Sequence, residues 1–427
     1  MQLKILILGS GGREHALSWA ISKSPLCKKL FCIPGNAGIK DVAECIDINI
    51  NNFNSIKQFI KKEKIDFVIV GPEDPLVNGI VDKLNKIKIK AFGPNKKASI
   101  LESSKSFTKD FCKKHNIPTA EYKKFKNFTN AISYIQKIKY PIVIKASGLA
   151  AGKGVFIVKK KLEAEKVLKN LMLKKNLGNS GKEVVIEDYL EGEEISCLSL
   201  VDGKNYIPLL LSQDHKKIYE KDKGPNTGGM GAYCPLPYLK KNITNKIKKE
   251  IIEPTIKALD KEKIYFNGIL YAGLMLVKEK IYLIEYNVRF GDPECQPLIF
   301  LLKSDLLKIL INCVNKKLNK TIIKWKKEYA LTVVMVNKGY PGKYKKNNII
   351  KNLNLIKEDM NTKIFHSGTS LDTKNNIIAT GGRVLSVTSK NKNFNIAKKK
   401  VYEVVRRLKW KNSFFRKDIG YRAKKLK

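Results

Sequence analysis

The sequence predicts a multidomain protein that joins α/β to α+β architecture, and three observations lead there. With 427 residues and 43% hydrophobic content the chain can bury several cores, so roughly two to four domains are expected. Over about the first hundred residues, short β-branched runs alternate with helical patterns, as a parallel α/β domain requires. Farther on, paired β-rich runs flank glycine-rich turns, the mark of antiparallel hairpins.

The first domain, residues 1–101, reads as a Rossmann-like parallel unit: "LKILILGS", a helix from about Arg13, "DFVIVGP", a helix from about Leu76, then "IKAFGP". Its loops "GSGGREH" and "GPEDPLV" follow the carboxyl ends of strands, where open α/β sheets bind ligands. The second domain, 102–328, opens with the helical pattern "SILESSKSFTKDFCKKH". Within it a lid subdomain, about residues 122–190, holds the hairpin "YPIVIKASGLAAGKGVFIVKK" and the helix "LEAEKVLKNLMLKK". "EVVIEDYLEGEEISCLSLVDG" then reads strand, turn, strand, and "IYFNGILYAGLMLV" and "KIYLIEYNVRF" add two strands before a helix beyond Pro293. The third domain, 329–427, is small and β-rich, from "ALTVVMV" to a helix before "FFRKDIGYRA". There is no internal repeat.

The formal net charge of +44, from 83 Lys and Arg against 39 Asp and Glu, raises nucleic acid as a partner. Yet the lysines are spread along the whole chain instead of gathering in one arm or helix. Lys, Asn and Ile, abundant together, share A/T-rich codons, so base composition accounts for the load and nucleic acid is not expected to bind. The eight cysteines form no CxxC pair and read as buried thiols of a reducing compartment. No run reaches membrane-span length and the amino terminus lacks a signal h-region, so a cytoplasmic protein is expected.

Five motifs carry chemistry. In "GSGGREHAL", Glu14 stands where a dinucleotide fingerprint needs glycine or alanine, which disfavours hydride transfer. Gly11 and Gly12 still let backbone approach a ligand and Arg13 attracts phosphate; a plain tight turn is the alternative. "KASGLAAGKGV" fails the Walker A spacing, because Gly148 and Gly152 are one residue too close and Gly154 replaces the Ser or Thr. Lys145 instead ends a strand, and the loop from Gly148 through Gly152 and Lys153 to Gly154 can fold over a triphosphate. "VVIEDYLEGEE" by itself reads as a solvated acidic turn; beside an adenosine pocket it would offer backbone groups to a base edge and Glu194 to ribose hydroxyls. "SQDHKKIYEKDKGPNTGGMGAY" makes a long flexible loop around Asn226 and Thr227, and such loops serve ligands. His215 within it reads as a structural hydrogen-bonder.

"LIEYNVRFGDPE" is the most telling. Strand alternation sends Glu285, Asn287 and Arg289 one way and Ile284, Tyr286, Val288 and Phe290 the other. Carboxylate and amide oxygens suit Mg2+, and an arginine beside them grips carboxylate or phosphate.

Taken together, these motifs with "PGNAG", "GPNTGGMGAY", "EYNVRFGDPE", "FHSGT" and "RKDIGYRA" make the chain resemble the glycinamide ribonucleotide synthetases, the phosphoribosylamine-glycine ligases of the ATP-grasp superfamily. The resemblance implies an ATP-grasp central fold with an inserted lid. It implies that ATP phosphorylates glycine and that 5-phosphoribosylamine attacks the glycyl phosphate, in purine biosynthesis. It assigns Lys105 and Lys145 to nucleotide phosphates, Glu187, Asp188, Tyr189 and Leu190 to the adenine hinge, and Glu194 to ribose. Glu285 and Asn287 would hold Mg2+ or Mn2+, and Arg289 would stabilise transferring charge. Asp214 with Asn226, Thr227, Gly228 and Gly229 would seat glycine; Gly11, Gly12, Arg13, Pro72 and Glu73 would meet phosphoribosylamine. A monomer is expected, and, from the end of the chain at "RKDIGYRAKKLK", no fused later-pathway domain. The family carries aspartate where this chain has Ser147. Another ATP-grasp carboxylate-amine ligase and a polyanion binder that has lost catalysis are the alternatives.

Overall fold

The computed structural model describes residues 2–150 and 152–425. Met1 and residues 426–427, at the outer ends of the first and last expected domains, and Ala151 of the glycine loop lie outside it.

Five parallel strands build the amino-terminal sheet, in the spatial order Glu44–Cys45, Cys27–Pro34, Leu3–Gly9, Phe67–Val70, Lys90–Phe92. Ile5 to Leu8 and Phe67 to Val70 are buried on both faces, which is why they read as unbroken apolar runs. The helix Gly12–Ile21 starts directly after the first strand. The helix expected from about Leu76 begins earlier, at Glu73, since two acidic residues and Pro75 suit a first turn. It breaks at Gly79, whose φ of 76° is left-handed, and resumes as Ile80–Lys86.

"SILESSKSFTKDFCKKH" also forms two helices, Ile100–Ser103 and Lys105–Lys114. Ser104 takes extended backbone between them, and its hydroxyl caps the second helix by accepting from Phe107 N at 3.2 Å. This break places Lys105 at a helix start. The lid is an antiparallel sheet, Tyr122–Phe125, Val184–Asp188, Ile142–Ala146, Val155–Val158, with its own core around Ile144, Leu168 and Ile186. The strands Val184–Asp188 and Glu193–Asp202 belong to different sheets, so the turn between them, the expected adenine hinge, connects lid to body.

The body sheet runs Tyr206–Pro208, Glu193–Asp202, Asn267–Val277, Lys280–Asn287, all antiparallel. One expectation is corrected there. Leu283 pairs with Leu274 but Glu285 pairs with Gly273, so the strand carries an extra residue at Ile284. The bulge shifts the pleat: Ile281 and Leu283 are buried before it, Tyr286, Val288 and Phe290 after it, while Ile284 turns to the cleft beside Glu285.

The third sheet runs Gln213–Asp214, Gly231–Cys234, Tyr329–Asn337, Arg383–Asn391, Thr362–His366. Two of its strands thus come from the middle of the chain. The flexible loop expected at "GPNTGGMGAY" is corrected as well, because this segment is pinned: Thr227 N donates to Lys216 O at 2.8 Å, Met230 N to His215 O at 2.9 Å, and Met230 is wholly buried. His215 is buried too and accepts from Gly420 N at 3.2 Å through Nε2, the structural role expected of it. Among the described residues no helix is long and apolar enough to cross a membrane.

Candidate active site

A cleft of about 940 Å³ opens where the amino-terminal domain, lid, body sheet and third domain meet. Most residues singled out from sequence line it. Gly12, Gly148 and Gly229 instead stand behind its wall, where neighbours leave no room for a side chain. A Cβ on Gly12 would lie 2.5 Å from Gln296 Nε2, on Gly148 2.8 Å from Ser180 Cα, and on Gly229 2.3 Å from Pro293 Cδ.

At the lid end, Lys145 Nζ lies 2.9 Å from Glu187 Oε2, and Lys109 Nζ lies 3.0 Å from the same oxygen. All three side chains are buried, and Glu187 Oε1 has no partner among the described residues. The carboxylate therefore pairs with two buried cations, leaving the trio one positive charge in excess, and retains one free acceptor at the hinge, beside Asp188, Tyr189 and Leu190. Lys105, the first residue of its helix, sits on the opposite side with its ammonium 3.5 Å from Gly148 O; burial lowers its pKa. Ser147 joins that helix to the lid, its hydroxyl accepting from Ser106 N at 3.2 Å and donating to Ser106 Oγ at 3.0 Å. Ser106 in turn donates to Glu183, so a carboxylate stands one hydroxyl away from Ser147. Lys153 and Gly154 complete this wall.

Glu285 and Asn287 face the cleft from the end of the body strand. Burial would raise the Glu285 carboxyl, but Lys216, Lys105 and Lys145 hold it down to about 2, so it is ionised at any working pH. Lys216 Nζ lies 3.5 Å from Glu285 Oε1 and 3.2 Å from Glu194 Oε2. Burial would depress this ammonium, yet those two carboxylates keep its pKa well above the usual lysine range. Arg289 is clamped between domains, with Nε 3.0 Å from Glu73 Oε2 and Nη2 2.9 Å from Glu102 Oε1. Its charge holds Glu73 down to about 2, whereas burial pushes Glu102 up to about 7.

Arg13, expected to attract phosphate, points inward: Nε donates to Glu14 Oε1 at 2.6 Å and Nη1 to Phe290 O at 3.0 Å. Glu14 also accepts from Gly11 N at 2.6 Å and fills the space beside Gly9 and Gly71 that a third glycine would leave. The sequence departure from the dinucleotide fingerprint thus has a packing role. Pro72 lines the cleft just before Glu73.

Asp214 is enclosed by Gly229, and its Oδ1 is buried without a partner among the described residues. Burial first and Glu294 second push its carboxyl well above the usual range. Glu294 accepts from Tyr271 Oη and from Ser196 Oγ, the latter at 3.2 Å. Asn226, Thr227 and Gly228 close this end, and Gly228 N donates to Tyr340 Oη at 2.9 Å.

Sequence reading missed Glu102, Lys109, Lys216, Tyr340 and Arg383. Glu102, Lys105 and Lys109 recur at i, i+3 and i+7, and Asp214 and Lys216 alternate along an extended run, so three of the five had a local signal. Tyr340 and Arg383 lie in "GYPGKY" and "GGRVLSVT", two stretches that share in the family resemblance, but no local pattern gave them a role, since only the tertiary fold brings them to the cleft.

The family model described as phosphoribosylglycinamide synthetase, N domain, matches residues 3–102; its ATP-grasp (A) domain matches 103–295 and its C domain 330–422. The chain is 46% identical over 422 residues to a phosphoribosylamine–glycine ligase of Agrobacterium fabrum, covering 99% of each. It is 47% identical over 421 residues to the chloroplastic phosphoribosylamine–glycine ligase of Arabidopsis thaliana, covering 97% of this chain and 79% of that protein. Among solved structures, phosphoribosylamine–glycine ligase from Thermotoga maritima superposes with a TM-score of 0.86 at 30% identity, over 98% of this chain and all of that one. A biotin carboxylase domain from Hydrogenobacter thermophilus, solved with MgADP, shares the fold at a TM-score of 0.75 and 16% identity, over 97% and 92%.

Proposed function

The chain belongs to the phosphoribosylglycinamide synthetase family, and from that premise we propose how its cleft joins glycine to 5-phosphoribosylamine with ATP, yielding glycinamide ribonucleotide, ADP and phosphate for purine synthesis. The observation that carries the reading is convergence: Lys105, Lys145, the hinge from Glu187 to Leu190, Glu285, Asn287 and Arg289 come from separate elements and line one cleft.

A carboxylate is a poor electrophile, so it must first gain a leaving group. The glycine carboxylate attacks the γ-phosphorus, the bond to the β-bridging oxygen breaks, and ADP leaves. The amine then attacks the acyl carbon, phosphate departs and one proton is released. Lys105 and Lys145 hold phosphate oxygens, the free Oε1 of Glu187 and the hinge backbone meet the base edge, and Glu194 receives ribose hydroxyls. Arg289, fixed by Glu73 and Glu102, stabilises charge as it moves between γ-phosphate and glycine. Asp214, with a free buried oxygen, suits the glycine ammonium, and Arg13, Pro72 and Glu73 border the end open to phosphoribosylamine.

The donor set fits Mg2+ or Mn2+. Among the described residues, Glu285 Oε1 and Asn287 Oδ1 have only distant protein partners, at 3.5 and 3.3 Å, and both are hard oxygen donors. Among the described residues no three His, Cys, Asp or Glu side chains cluster to hold an ion unaided, as expected of a cation that completes its shell with phosphate oxygens. Such an ion, when bound, neutralises phosphate charge. We propose a monomeric working unit and a cytoplasmic setting, the latter in keeping with free thiols at all eight cysteines.

The test incubates the chain with ATP, Mg2+, glycine and freshly generated phosphoribosylamine. ADP and glycinamide ribonucleotide should form together. ADP release that needs neither substrate would count against the reading.

A further inference from the structure

Gly228 is a three-way junction. Its N–H donates to the Tyr340 hydroxyl at 2.9 Å, and its carbonyl accepts from Arg383 Nη1 at 2.8 Å. Both partners come from the third domain. Nη1 of Arg383 also donates to Asp292 O at 2.6 Å, and Nη2 lies 3.4 Å from Asp292 Oδ2, which ties in the turn that follows the body strand. From the lid, the glycine loop rests on the same segment: a Cβ on Gly152 would lie 3.2 Å from Thr227 O and 3.9 Å from Gly228 N. Gly228 itself has no space to spare, since a Cβ there would meet Arg383 Cζ at 3.0 Å and Tyr340 Oη at 3.2 Å.

A cleft-lining residue with both peptide groups held by one domain, and a second domain laid over it, is a closure and not a loose loop. We propose that Tyr340 and Arg383 are positioning residues whose grip on Gly228 seals the cleft between glycine loop and third domain. The seal keeps water from the acyl phosphate until the amine arrives. This rests on the ligase reading above. Without the seal, water attacks the acyl carbon, the carbon–oxygen bond to phosphate breaks, and glycine and phosphate are released. The net leak is ATP and water to ADP and phosphate.

The experiment measures ADP formed per glycinamide ribonucleotide in wild type, Tyr340→Phe, Arg383→Met and Arg383→Lys, together with hydrogen exchange of the segment 224–232 in the unliganded chain. Wild type should give a ratio near one. Tyr340→Phe removes a single oxygen, and losing a hydrogen bond of ordinary strength should raise glycine-dependent excess ADP about fivefold and speed exchange at Gly228 by a similar factor. Arg383→Met should leak more, and Arg383→Lys should recover part of the coupling, because an ammonium can still donate to the Gly228 carbonyl. A structural role alone would lower both products together and leave their ratio unchanged. Unaltered ratio and exchange in Tyr340→Phe overturn the seal even if Arg383→Met fails to fold. Wild type that forms no amide overturns the ligase reading itself, a failure visible separately because exchange needs no turnover.

Discussion

Arg289 Nη2 lies 2.9 Å from Glu102 Oε1, which joins the end of the body strand to the short helix just before Lys105. On its other edge the same guanidinium holds Glu73 of the amino-terminal domain at 3.0 Å. One side chain therefore registers two domains across the cleft, and its removal should be felt in chemistry and in stability. Arg289→Lys, which cannot reproduce the planar fork, should lower kcat on the order of a hundredfold in steady-state ADP release, with a smaller change in the KM for ATP.

Glu102 should impose a pH slope on stability. Burial pushes its folded pKa to about 7 from an ordinary value of 4.5. Between those values the folded chain keeps a proton that the unfolded chain has lost. Stability from this group therefore falls as pH rises through that window and is level above it. Glu102→Gln should flatten the slope in urea midpoints measured from about pH 5 to about pH 7.5.

Lys109 and Lys145 share Glu187 Oε2, but only Lys145 is expected to touch nucleotide. Lys109 also donates to Thr119 Oγ1 at 2.7 Å and to Ala120 O at 3.3 Å. Lys109→Met should cost about 3 kcal/mol in denaturant unfolding, as expected when a buried pair loses a partner. Lys145→Met should raise the KM for ATP by more than Lys109→Met does.

Ser147 and Glu183 should be coupled through Ser106. Ser147→Asp introduces the aspartate that the family resemblance led us to expect, but sets a second carboxylate beside Glu183. That variant alone should destabilise by about 1 kcal/mol, and Glu183→Gln should remove the penalty, giving a nonzero coupling energy in a double-mutant cycle read by thermal melts.

Much of the site was legible because neighbouring residues encode it. Period-two alternation put Glu285, Asn287 and Arg289 on one face, glycine runs marked the loops, and strand ends marked where ligand loops belong. The same alternation misplaced Ile284, because a bulge is decided by the partner strand: Gly273 faces Glu285 while Leu274 faces Leu283. The loop "GPNTGGMGAY" looked flexible since its glycines carry no side chains to pack; its order comes from strands and side chains far along the chain.

Local pattern by itself determined most of the elements, the domain order and a part of the charged cleft lining, Lys145, Glu285 and Arg289 among it, because helix and strand periods depend on spacing along the backbone. Only the tertiary structure decided that Glu187 serves two lysines, that Lys216 lies between Glu194 and Glu285, and that Tyr340 and Arg383 hold Gly228. Those pairings depend on how separate sheets pack, and the balance between burial cost and opposite charge exists only once the groups have left water together.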